Sequence, residues 1–185
     1  GVPADELKGL NLEPLKRYQL VFAFWLRGEH PRPSLRTLHS VALKVNVKVL
    51  RLSERGAKLK LLEVERVTLK KSRRQREALY AEVESRPLKV SPDELRGVEV
   101  VQEELTAHLK TDLSRLQSPE LAPWRKLLES RELLSLEQWA ELAFYLSSPE
   151  PSLFVQWLLL DSLLDRYHMI GDLLSTSVFE KAFFT

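Results

Sequence analysis

The chain has 185 residues, of which 44% are hydrophobic and 29% charged. That is enough apolar residue to build a core and too much for a disordered chain. There is no cysteine, so disulfides and thiolate metal sites are excluded, and a reducing compartment such as the cytoplasm is the expected setting. The net charge of +2 hides an asymmetry. Residues 1–117 hold 23 Lys/Arg and 16 Asp/Glu, a balance of +7, and residues 118–185 hold 5 and 10, a balance of −5.

In chain order, the first half reads as strands. "YQLVFAFWL", residues 18–26, is a short apolar run rich in aromatic and β-branched residues, which predicts a buried strand. Pro31 and Pro33 mark residues 28–34 as a loop. In residues 41–52, Val45, Val47 and Val49 point one way, and Lys44, Asn46, Lys48 and Leu50 the other. "SERG" predicts a hairpin turn, with Gly56 free to take a positive φ. Leu59 and Leu61 then alternate with Lys58 and Lys60. "ERVTLKK" and "ALYAEVES" read as two more strands, separated by a basic loop, "KSRRQRE".

The second half reads as helices. Ser91, Pro92 and Glu94 form a start signal, and the helix they open runs to about Gln117. A second helix covers roughly residues 119–131, and "SLEQ" at residues 135–138 opens a third. "SSPEPS" breaks it, and two helical segments follow, at residues 153–160 and 163–174. A block of strands followed by a block of helices predicts an α+β protein: a small antiparallel sheet or open barrel, then an α-helical bundle. The expected boundary divides residues 1–88 from residues 89–185.

Catalytic signatures are missing. No phosphate-binding glycine loop and no nucleophile elbow occurs, and the four histidines are scattered. Nothing points to a cofactor or a metal. No apolar run reaches the roughly 18 residues of a membrane span. Asp161 and Asp165 are spaced i, i+4 and read as a solvated helix face beside Arg166. His108 and His168 read as core or boundary residues, and Trp139 and Trp157 as core. Trp25, with Leu26 beside it, ends a strand, and Trp124 opens a helix. Exposed aromatics on a chain without catalytic residues point to contact with another protein.

Between residues 44 and 76 stand twelve Lys/Arg against three Glu. Cationic surface attracts phosphate, so Lys58, Lys60, Lys70, Arg73 and Arg74 are candidate contacts for RNA or DNA. Yet the same stretch has no Phe, Tyr, Trp or His to stack a base. Alternating lysines also wet the outer face of a sheet and guard its edges. That structural reading is preferred here.

"HSVALKVNVKVLRLSERGAKLKLLEVERVTLKK" resembles the central β-hairpin of the amino-terminal domain of Lon-type ATP-dependent proteases, with Arg66 at the place of the family's arginine. "ALYAEVESRP" resembles the family's next strand. Ala140, Leu142, Ala143, Gln156, Leu159, Asp165 and Arg166 answer elements of its helical half. The resemblance covers about residues 18–174. The family's opening strand is missing or remodelled here, and Val64 and Glu65 stand where it has a glycine. The resemblance implies a PUA-like β-domain and a helical bundle that capture unfolded or damaged proteins and assist assembly of a hexamer. The chain itself would be no enzyme. A Ser–Lys peptidase and its ATPase would belong to the parent molecule, since no Walker motif or peptidase segment is present. The remaining alternative is a purely structural interaction domain.

Overall fold

The computed structural model describes all residues except 4–6, 8, 27–34, 77, 113–121, 148 and 185, and, of the described residues, the side chains of all except residues 3, 109–112 and 175–184. The chain divides into two compact units, Gly1–Pro87 and Leu88–Thr185. The first is a sheet of β1 (Val2–Pro3), β2 (Arg17–Phe22), β3 (Val41–Ser53), β4 (Gly56–Gln75) and β5 (Ala78–Ser85). The strand order is β1-β4-β3-β2, with β5 also on β4, all antiparallel. The sheet is open and does not close into a barrel.

The alternation in β3 has the expected effect. Val41, Val45, Val47 and Val49 are buried on one face, where period-two spacing puts them. The opposite face changes character along its length. At one end Ala42, Val67 and Leu69 join Leu38 in an apolar cluster, with Val21, Ala23, Trp25, Leu79, Ala81 and Val83 against it. Farther along, Lys44 pairs with Glu65 at 2.8 Å and Asn46 donates to Glu63 at 2.9 Å. Glu54 and Arg55 make the β3–β4 turn, and Gly56 takes the expected positive φ of 143°. Two expectations need correcting. The strand read from residue 18 to residue 26 ends at Phe22, leaving only an isolated bridge at Trp25. The basic "KSRRQRE" segment is largely strand and not loop: β4 runs through it to Gln75 and Arg76, at φ 56°, turns the chain, while Glu77 lies outside the described residues. The proline-marked loop at residues 28–34 lies outside the described residues.

The second unit contains α1 (Pro92–Asp112), α2 (Ala122–Glu129), a 3₁₀ turn (Arg131–Leu133), α3 (Leu136–Leu146), α4 (Pro151–Leu159) and α5 (Leu163–Phe184). Residues 113–117 and 119–121 of the expected helices lie outside the described residues. Ser91 caps α1 by accepting from the Glu94 N–H, and Ser135 with Gln138 forms a reciprocal capping box on α3. Val98 and Leu105 of α1 share one core with Leu163, Ile170 and Leu174 of α5 and with Trp139, Ala140, Ala143 and Phe144 of α3. Buried aromatic donors must find acceptors. Trp139 donates its indole N–H to the Leu128 carbonyl at 3.0 Å, and Tyr167 its hydroxyl to the Leu136 carbonyl at 2.7 Å. The two rings stack at 5.5 Å. Burial pushes the Tyr167 phenol well above its usual range, so it stays a donor.

Trp139→Ala removes a wholly buried side chain and the indole bond together. Chemical denaturation is expected to show a loss of about 3–5 kcal/mol. Glu65 is held below the usual carboxylate range, first by its bond to Lys44 and then by Ser85. The stability this contributes is therefore present above the ordinary carboxylate pKa and is lost as pH falls through the lowered value. Acid titration of stability is expected to be shallower in Glu65→Gln than in the parent chain.

Candidate functional site

The five cationic candidates all lie on β4, and each is exposed. They do not converge. Lys60 and Lys70 stand ten positions apart on one extended strand, on the order of 30 Å at the usual rise per residue. Several charges are also answered locally. Lys70 pairs with Glu84 at 2.8 Å and draws that carboxylate below its usual range. The Arg73 guanidinium lies 5.7 Å from the Tyr80 ring, its cross-strand partner on β5. Sequence alone hid this aromatic, because register and not proximity in the chain brings it there. Lys58 and Lys60 make no ion pair among the described residues, and Lys60 sits opposite Lys48.

The three candidate protein contacts have different surroundings. Trp25 packs partly against the sheet's apolar cluster and bridges Leu38, so much of its ring serves the fold. Leu26, next to it, is 47% exposed, and its N–H donates to the Thr37 carbonyl at 3.0 Å. Trp124 belongs to the helical unit and is 49% exposed on α2, although Leu128, one turn later, is buried. Trp25 and Leu26 therefore form one candidate patch in the first unit, and Trp124 a second in the helical unit. Sequence reasoning passed over Leu61, Leu62 and Val64, which are 62%, 43% and 51% exposed on β4. The signal was the Leu61–Leu62 doublet, which breaks the alternation.

The remaining titratable candidates settle into plain roles. Asp161 precedes α5, and its carbonyl accepts from the Lys89 N–H at 2.7 Å, so it shares no helix face with Asp165. Arg166 is no solvated neighbour. It is 3% exposed, with its guanidinium 4.8 Å from the Trp157 ring and 3.8 Å from Glu141. Burial raises the Glu141 carboxyl, and Arg166 opposes that shift. His108 and His168 are exposed, not core or boundary residues. Trp139 and Trp157 are core, as expected. Among the described residues no three His, Asp or Glu gather as a metal-holding set, and no helix is long and apolar enough to cross a membrane.

No protein-family model and no curated protein matches the sequence. Among solved structures, the chain is similar to the N-terminal domain of a Lon protease from the Mycobacterium avium complex, at 18% identity and a TM-score of 0.52. The match covers 88% of this chain and 91% of that one. At this identity the likeness concerns architecture: an open antiparallel sheet followed by a helical bundle is the fold this chain shares with the N-terminal domain of Lon protease.

Proposed function

We propose that this chain is a non-catalytic recognition domain that holds unfolded or damaged polypeptides for an ATP-dependent protease of the Lon type. The observation that carries the reading is the shared fold, which extends over nearly the whole of both chains. The distribution of exposed groups supports it. Large apolar side chains are exposed in both units, including Leu26 and Trp124, while the cations of β4 are spread along a strand. Such patches suit weak, repeated contacts with exposed apolar segments of a client, in which avidity replaces a single tight pocket. Peptide-bond cleavage would then belong to a Ser–Lys peptidase elsewhere in the parent protein, in a reducing compartment such as the cytoplasm.

The test is binding of a permanently unfolded protein, such as reduced and alkylated lactalbumin, to the whole chain by fluorescence anisotropy. Trp124→Ala is expected to weaken binding about tenfold, the loss of one anchor worth roughly 1.4 kcal/mol. Leu26→Ala is expected to weaken it less, and Trp25→Ala to lower stability as well as affinity. Unchanged binding in Trp124→Ala and Leu26→Ala would reject these contacts. Tight, steeply salt-dependent binding of a single-stranded oligonucleotide, lost on Lys58→Ala with Lys60→Ala, would favour a nucleic-acid module instead.

A further inference from the structure

The register of the first unit sets side by side cations that the sequence keeps apart. Arg17 of β2 lies directly opposite Lys48 of β3, and Lys48 directly opposite Lys60 of β4. One row of the sheet thus holds Arg17, Lys48 and Lys60, roughly 10 Å across at the usual strand spacing. Leu50 is a bulge on β3, so Arg51 falls opposite Lys58. Lys58 and Lys60 stand two positions apart on β4 and share a face, which makes Arg51 and Lys58 a second row of the same cluster. Lys48 is half-buried and the other four are exposed.

Guarding an edge does not account for this arrangement. Lysines protect a sheet where they stand on its edge strands. Lys48 stands on β3, between β2 and β4. Like charges directly across strands are destabilising, so the row costs the fold stability. Elsewhere on β3 the sheet answers its polar groups: Lys44 has Glu65, and Asn46 has Glu63. Lys48 makes no ion pair among the described residues. Three features of the cluster specify the anion that suits it. No aromatic belongs to either row, so nothing there stacks a base. The neighbouring row of Gln19, Asn46 and Glu63 ends in a carboxylate, which repels a phosphate chain running past the cluster. Leu50, 41% exposed at the bulge, sets an apolar contact among the cations.

We propose that this cluster binds an extended, acidic segment of a client polypeptide. An extended chain repeats its side chains about every 7 Å on one side, close to the step from one row to the next. Carboxylates at alternate positions therefore meet Lys48 and then Arg51, with Arg17, Lys58 and Lys60 flanking them. Charge assistance makes each such contact stronger than a neutral hydrogen bond. This preference by charge rests on the client-holding function proposed above. The first unit, Gly1–Pro87, carries 19 Lys/Arg against 10 Asp/Glu, a balance that draws acidic segments toward it before contact.

Fluorescence anisotropy on the full chain tests the proposal, with a labelled peptide of alternating glutamate and alanine and another of alternating lysine and alanine. The parent chain is expected to bind the glutamate peptide, more weakly as salt rises, and to ignore the lysine peptide. Lys48→Gln with Arg51→Gln is expected to weaken that binding about fivefold. The same variant is expected to raise the denaturant midpoint, because it relieves the like-charge row, and a misfolded chain would lower it. Lys71→Gln with Arg96→Gln removes as much charge elsewhere and is expected to leave the binding unchanged. Binding that survives Lys48→Gln with Arg51→Gln, or falls equally in Lys71→Gln with Arg96→Gln, would overturn the proposal. So would an oligothymidylate that binds more tightly than the glutamate peptide and displaces it, which would assign the cluster to nucleic acid. Binding of unfolded lactalbumin with no preference for the glutamate peptide would overturn this proposal and leave the client-holding function standing. Binding of neither would overturn both.

Discussion

Strand β4 is twenty residues long and its hairpin partner β3 only thirteen. That mismatch shapes the whole first unit. β3 pairs with the first part of β4, β5 takes over the second, and one face around the overlap is apolar at Ala42, Val67 and Leu69. A strand of this length twists and coils, and its bulges at Leu62 and Lys70, with one at Leu50 on β3, are where the pairing adjusts. Between β1 at Gly56–Ala57 and β5 from Val67, residues 58–65 of β4 have no second partner strand among the described residues.

The helical unit follows a different constraint. Its core holds polar atoms that must be answered: the indole of Trp139, the phenol of Tyr167 and the guanidinium of Arg166. Trp139 donates to the Leu128 carbonyl in the last turn of α2, where carbonyls lack intrahelical partners, and Tyr167 to the Leu136 carbonyl in the first turn of α3. They fix how α2, α3 and α5 meet, and Arg166 lies over the Trp157 ring nearby. This polar stitching gives Trp139, Trp157 and Tyr167 structural roles in the bundle.

Much of this was legible in the sequence, and the failures have physical causes. The valine alternation of β3, the capping residues Ser91 and Ser135, and the positive φ at Gly56 are local signals, and each appears where its chemistry puts it. The basic run at residues 71–77 was read as a loop because charge density resembles a solvated turn. Cross-strand neighbours on β5 make residues 71–75 strand, with Arg73 set over Tyr80 and Lys70, just before the run, paired to Glu84. Arg166 was read as surface because burial of a guanidinium depends on Trp157 and Glu141, which come from other helices. For the candidate site, Trp124 and Leu26 were found as exposed residues, but Leu61, Leu62 and Val64 were not. Their exposure depends on the register of β3 with β4, of which the sequence shows only the Leu61–Leu62 doublet.

Function and fold meet in what the surface leaves unsatisfied. The charges of β4 are distributed and partly answered within the sheet, while among the described residues several large apolar side chains stay exposed and residues 58–65 of β4 pair with a strand on one side only. The proposed capture of polypeptide would draw on those exposed apolar groups. The most direct measurement is amide hydrogen exchange along β4 in dilute solution. The account predicts that, within residues 58–65, the amides pointing away from β3 exchange quickly, while residues 67 and 68, which pair with both β3 and β5, stay protected. Uniform slow exchange across residues 58–65 would show that the edge is already covered, and would contradict the account.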